Sequence, residues 1–254
     1  MQTRNDIGAG SSDGASDLSL AALRSEIDAT DDALLELIEK RQGLAKRVNA
    51  FKAAEPAGLA LRPDRETFVM GRLLERVAPA RRPLVQALWR EVLSAGLAAQ
   101  GELTIVSWAP NALAAEMAAR LRFGASARYR PVGAPEDALD AAESDNAVAV
   151  LWLDPAHPWW AELPGRETLW VFEALRGLRG RDEPAALAVG RVPTGALSRG
   201  LAFRVSAGGD SGDGHARERL IASAKGVRLY TVQEGADPGP LHRERGFIGS
   251  APPV

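Results

Sequence analysis

Residues Leu18–Lys52 read LSLAALRSEIDATDDALLELIEKRQGLAKRVNAFK, and their periodicity decides the fold of the opening part of the chain. Leu20, Leu23, Ile27, Thr30, Leu34, Leu37, Arg41, Leu44, Val48 and Lys52 recur at steps of three or four. That spacing draws a seam down one side of a single helix, with Ser19 as its N-cap. At about 1.5 Å per residue the rod is roughly 50 Å long. Such a rod is too long for two short helices to cover, so the simplest partner for its seam is a second copy of itself in a homodimer.

Beyond Lys52, Pro56 and Gly58 break the pattern. A second helix is expected from Pro63, a residue suited to a first helical turn, with Asp64 and Glu66 where the helix dipole favours acids. A third is expected near Pro83, presenting Val85, Trp89, Val92, Gly96 and Gln100 on one face. Two cations break the apolar logic of the long seam. Arg41 and Lys52 are eleven residues apart, close to three whole turns, so they point the same way about 16 Å from each other. Cations on a buried seam need carboxylates, from the protein or from a ligand, to answer them. A pocket for a small polyanion meets that need; long stems that carry their charge out to water are the alternative.

Composition narrows the chemistry. The 254 residues are 46% apolar and 25% charged with a formal charge of -2, so no broad positive field suggests a nucleic-acid binder. Cysteine is absent, which removes thiolate nucleophiles, disulfides and Cys-ligated metals. His157, His215 and His242 have no partner at metal-ligand spacing, and no metal is expected. No apolar run reaches membrane-spanning length and the N-terminus lacks the apolar core of a secretory signal, which predicts a cytoplasmic protein. The Gly-, Ser- and Asp-rich residues 1–17 read as a disordered leader.

From Leu18 to Gln100 five motifs stand in order: LRSEID with Arg24, LIEKRQGLAKRV with Arg41, Lys52 closing the long helix, RPDRE with Arg65 and Glu66, and WREVLSAGLAAQ ending at Gln100. In these the stretch resembles the all-helical class of chorismate mutases. It implies an intertwined homodimer that converts chorismate to prephenate without a cofactor, breaking an ether C–O bond as a C–C bond forms. Catalysis then consists of holding the compact conformer of a flexible dicarboxylate and stabilising charge on the ether oxygen. The resemblance assigns Arg24, Arg41 and Arg65 to the carboxylates, Lys52 and Gln100 to the ether oxygen, and Glu66 to the ring hydroxyl. Arg24 is assigned to the neighbour's site, and spacing agrees: it stands about 25 Å along the rod from Arg41, so one chain cannot bring both to one small ligand. The chain departs from the family pattern at Gly96, where a serine is common, and at Arg62, where some members carry an acid.

From Glu102 onward short apolar runs alternate with helical ones, which predicts an α/β domain. Strands are expected at 103–108, 128–132, 147–153, 168–173, 186–192, 201–206 and 227–234, and helices at 111–122, 135–143 and 215–224. In bacterial fusions a helical mutase precedes a prephenate dehydratase and a phenylalanine-sensing ACT domain, and the order of elements here resembles a shortened relative. The Gly-Thr pair of the dehydratase opening, its Thr-Arg-Phe and its Pro-Ile-Glu-Asn-Ser segment are missing, so dehydratase activity is not expected. Trp159 and Trp160 read as core, RLRFGASARYR (120–130) as a solvated helix end and edge strand, and SAGGDSGDG (206–214) as a linker.

The sequence thus predicts a multidomain chain: a leader (1–17), an all-α three-helix mutase domain (18–101), an α/β domain without chemistry of its own (102–235) and a flexible tail (236–254). A competing reading makes the helical dimer a non-catalytic sensor of chorismate, prephenate or an aromatic amino acid.

Overall fold

The computed structural model describes residues 19–52, 61–144, 146–176, 184–207, 218–233 and 243–252. The expected leader, residues 208–214 of the expected linker, His215 and His242 lie outside them, while Ser206 and Ala207 of that linker close the strand Leu201–Ala207. The helical region comes first. α1 (Leu20–Lys52) is one uninterrupted helix, opened by Ser19, whose hydroxyl accepts from the Ala22 amide at 3.1 Å. α2 (Pro63–Leu74) and α3 (Arg82–Ala98) each carry Pro in the first turn, where its missing N–H costs nothing.

The α/β region is a nine-stranded mixed sheet. Its strands are β1 (Thr104–Trp108), β2 (Arg128–Pro131), β3 (Ala147–Trp152), β4 (Trp170–Arg176), β5 (Pro184–Gly190), β6 (Leu201–Ala207), β7 (Glu218–Ala224), β8 (Val227–Gln233) and β9 (Phe247–Ala251), in the order β2-β1-β3-β5-β4-β9-β6-β8-β7. β1, β2 and β3 run parallel, linked through α4 (Ala112–Phe123) and α5 (Pro135–Ala142), and most of the remaining ladder is antiparallel. Alternation along the strands builds a core on each face. Val106, Ala149 and Leu151 join Ala138 and Leu139 of α5 and the fully buried pair Trp159 and Trp160. Ile105, Val148 and Val150 join Ala119 and Phe123 of α4.

Two expectations change. The first concerns residues 218–224, expected as helix: they form β7, hairpinned to β8 through Lys225 and Gly226, both at positive φ. A bulge between Leu220 and Ala222 resets which side chains face inward, so the strand shows no clean two-residue period. Of the expected flexible tail, residues 247–251 form β9, seated between β4 and β6 with Ile248 and Ala251 fully buried. Gly249 makes that seat possible, because at φ +156° a side chain there would collide with the backbone of Val171.

The chain forms two compact units, Met1–Arg41 and Gln42–Val254, and within the second α2 and α3 pack against the α/β region. Leu61 is buried in the core beside Phe123 and Phe172, Thr67 shares a 2.8 Å hydrogen bond with Ser198, and Glu91 of α3 accepts from the Ala125 amide at 2.9 Å. Gly124, at φ +71°, ends α4 where a Cβ would meet Glu91 Oε2 at 2.7 Å, and so lets α3 approach.

Candidate active site

Arg24 and Arg41 stand on α1 within the first unit. Because the helix is unbroken, they are separated by about 25 Å along its axis, as the spacing requires. Arg24 is exposed and Arg41 partly buried. Lys52 is the last residue of α1, and its side chain lies outside the described part.

The second unit holds Arg65, Glu66 and Gln100. Consecutive residues on α2 point about 100° apart, and here that divides two roles. Arg65 is exposed, with its guanidinium 5.1 Å from the centre of the Phe68 ring. Glu66 turns inward and accepts from Arg122 Nη2 at 2.7 Å. Arg62, one of the departures, is drawn to Asp64 at 3.4 Å. Gln100 follows the end of α3, where its amide donates to Leu97 and its Nε2 to the Gly96 carbonyl at 3.0 Å. Gly96, the other departure, is buried.

Arg122 bridges two carboxylates. Its Nη2 donates to Glu66 and its Nε to Glu173 of β4 at 2.5 Å, and the three side chains are only 16%, 13% and 14% exposed. Burial by itself would push the Arg122 guanidinium down, but the charges and hydrogen bonds of Glu173 and Glu66 outweigh it and hold the cation well above its ordinary range. Arg90 of α3 is pushed the other way, by burial first and then by the neighbouring Arg122. Breaking a buried pair on one side leaves an unanswered charge and costs about 3–5 kcal/mol. The reading of 120–130 as wholly solvated is therefore corrected at Arg122. Arg120, two positions earlier, does face outward, pairing with Glu116 and lying 4.2 Å from the Tyr129 ring centre.

Beside this triad opens a cleft of about 620 Å³ whose polar lining includes Glu66, Gln86, Arg90, Arg122, Glu173 and Arg176. Met70, Leu74, Leu93 and Leu121 supply apolar wall. Glu66 brings a carboxylate to the cleft, and Arg90 and Arg176 bring cations. Of the residues the sequence singles out, Glu66 lines this cleft, whereas Arg65 and Gln100 do not. Arg122, Glu173, Arg90 and Arg176 were not singled out by sequence reasoning; their partners lie 51 and 56 residues away in the case of Arg122, beyond any spacing rule.

A second polar cluster lies at the carboxyl ends of β1 and β3, where strand order reverses in an open α/β sheet. His157 Nδ1 is 2.9 Å from Asp154 Oδ2 and its ring stacks edge-on to Trp108 at 5.0 Å. The His157 ring and the Ala156 amide hold the Asp154 carboxyl below its ordinary range. Among the described residues no group of three or more His, Asp or Glu is placed to hold a metal, and no helix is long and apolar enough to cross a membrane.

Several known proteins are similar to the chain. A bifunctional chorismate mutase/prephenate dehydratase of Stutzerimonas stutzeri is 30% identical over 123 residues, covering 46% of this chain and 34% of that protein. The protein of the same description from Aquifex aeolicus (strain VF5) is 32% identical over 135 residues, 50% of this chain and 36% of its own length. That from Pseudomonas aeruginosa is 31% identical over 123 residues, with 46% and 34% covered. The chain thus spans about a third of the length of these relatives. The matched share also reaches the α/β region: 46% of 254 residues is about 117, more than precede Glu102. No solved structure matches significantly. Within the helical region, residues 23–101 match the family described as chorismate mutase type II.

Proposed function

We propose that the chain is a chorismate mutase acting as a homodimer in the cytoplasm. The observation that carries the reading is the family match over residues 23–101, which contains all six residues of the expected site. In this account Arg41, Arg65 and the partner's Arg24 bind the two carboxylates, where guanidinium forks fit bidentate contacts. Lys52 and Gln100 donate to the ether oxygen as its charge grows, in a pocket dry enough to strengthen both bonds. Glu66 accepts from the ring hydroxyl. The rearrangement needs no cofactor, nucleophile or proton transfer.

Dimerisation is supported by the seam. Ile27, Leu34 and Leu37 on α1 are 58%, 52% and 62% exposed in the isolated chain, a row of apolar side chains that a second α1 would cover. The α/β region we read as a shortened dehydratase relative without dehydratase chemistry. Its support is the matched length beyond residue 101 together with the missing Gly-Thr and Thr-Arg-Phe residues.

The test is conversion of chorismate by the purified chain beside its Lys52→Ala variant. Prephenate should form with wild type and fall at least 100-fold with the variant, the scale of losing one transition-state donor. A wild-type rate at background would remove the enzyme reading and favour the sensor, for which calorimetry should then show binding of chorismate, prephenate or an aromatic amino acid without turnover.

A further inference from the structure

We infer that Arg122, on α4 of the α/β region, is a positioning residue for the mutase site, acting through Glu66. The inference rests on the mutase reading and adds to it a residue outside the stretch that matches the family. Arg122 engages Glu66 through one oxygen, Oε2. Oε1 accepts no hydrogen bond among the described residues, and Glu66 lines the cleft of about 620 Å³. A carboxylate gripped by one oxygen and open at the other is oriented to accept a hydroxyl. The grip is itself braced: Glu173, on β4 inside the sheet, takes the Nε of the same guanidinium, and the Phe123 ring centre lies 5.0 Å from its Cζ. One cation therefore answers two carboxylates, and removing it takes away the guanidinium that holds Glu66 and leaves that side chain free to change rotamer. On this view the α/β region contributes to mutase action through the brace it builds behind Glu66, although it supplies no reacting group.

The experiment is a double-variant cycle on the full chain, with steady-state kinetics on chorismate. Glu66→Gln is expected to raise KM about tenfold. Arg122→Met should raise KM by a similar factor with kcat changed less than threefold, Arg122→Lys should recover part of the loss, and the double variant Arg122→Met/Glu66→Gln should be no worse than the poorer single. A purely structural arginine predicts instead that the two losses multiply. If Arg122→Met fails to fold, Glu173→Gln takes its place: it keeps the cation on Glu66 but frees the far side of the brace. A KM rise of two- to fivefold that disappears in the Glu66→Gln background is then expected. Wild-type KM in Arg122→Met, or in Glu173→Gln where that replaces it, multiplicative losses, or an unaltered KM in Glu66→Gln each overturn the inference. A wild-type chain that leaves chorismate unchanged defeats the mutase reading itself, so the two failures are distinguishable.

Discussion

Arg243 offers the sharpest stability test, because it fastens a segment whose sequence reads as loose. It opens the single helical turn before β9, and its guanidinium reaches three main-chain carbonyls: Nη1 donates to Leu163 and, at 3.0 Å, to Arg166, while Nη2 donates to Leu169 at 2.6 Å. It also lies 3.9 Å from the centre of the Trp170 ring. Burial pushes this guanidinium down, with Glu167 opposing, so the site holds a partly desolvated cation whose compensation is these carbonyls. A hydrogen bond from a charged donor is worth about 1.5–3 kcal/mol net, and a cation over a ring at a partly exposed site about 0.5–1 kcal/mol. Water entering the space left by Arg243→Ala would recover part of this, so the loss should be about 3 kcal/mol. Arg243→Lys keeps the charge but not the planar fork, and should lose about half as much. Urea unfolding followed by tryptophan fluorescence reads both variants, since Trp170 lies against the guanidinium and Trp159 and Trp160 share a core with Leu163 and Leu169, whose carbonyls it holds. The midpoint should fall while the slope stays unchanged. A loss below about 0.5 kcal/mol for Arg243→Ala, the range of an ordinary surface substitution, would refute the claim that this arginine anchors β9 to the sheet.

Other consequences can be measured independently. Leu34→Arg places a charge in the exposed seam of α1; light scattering should report a dimer for wild type and a monomer for the variant, with mutase turnover lost. Gln100→Ala should lower kcat about 100-fold while costing only about 1 kcal/mol of unfolding free energy, because the bond from its Nε2 to the Gly96 carbonyl is lost but the main-chain bond that ends α3 is kept. Tyr129 donates to the Gly124 carbonyl, and burial, against the opposing charge of Arg120, pushes its phenol up to about 12. The folded value lies above the unfolded one of about 10, so its contribution is complete below pH 10 and is lost as pH rises through 12. Tyrosinate absorbance should show a late step near pH 12, and Tyr129→Phe should remove both that step and the alkaline loss of stability.

Where local signals were strong, the sequence located elements closely. Three helices followed from apolar period and from Pro63 and Pro83, and β1, α4, β2, α5 and β3 fell within a residue or two of expectation. The errors have physical causes. In HARERLIASA the apolar positions are spaced unevenly because a bulge at Leu220–Ala222 switches the inward face, and the segment imitates a helix. FIGSA (247–251) is short, contains Gly and Ser and stands beside a Pro-rich end, yet it is buried because β4 and β6 leave a strand-wide place between them, something only the assembled sheet defines. Glu66 could be singled out through its motif, but its partners could not: Arg122 looks like any cation at a helix end, and Glu173 like an acid interrupting a strand. Their meeting comes from α2 packing on the α/β region, which no local pattern records.

The most direct test of the account is to incubate the purified chain with chorismate and identify every product. Prephenate as the sole product, at a rate well above the spontaneous rearrangement, is the predicted result. Chorismate left to rearrange at its spontaneous rate would contradict the mutase reading, and phenylpyruvate accumulating beside prephenate would contradict the claim that the α/β region carries no dehydratase chemistry.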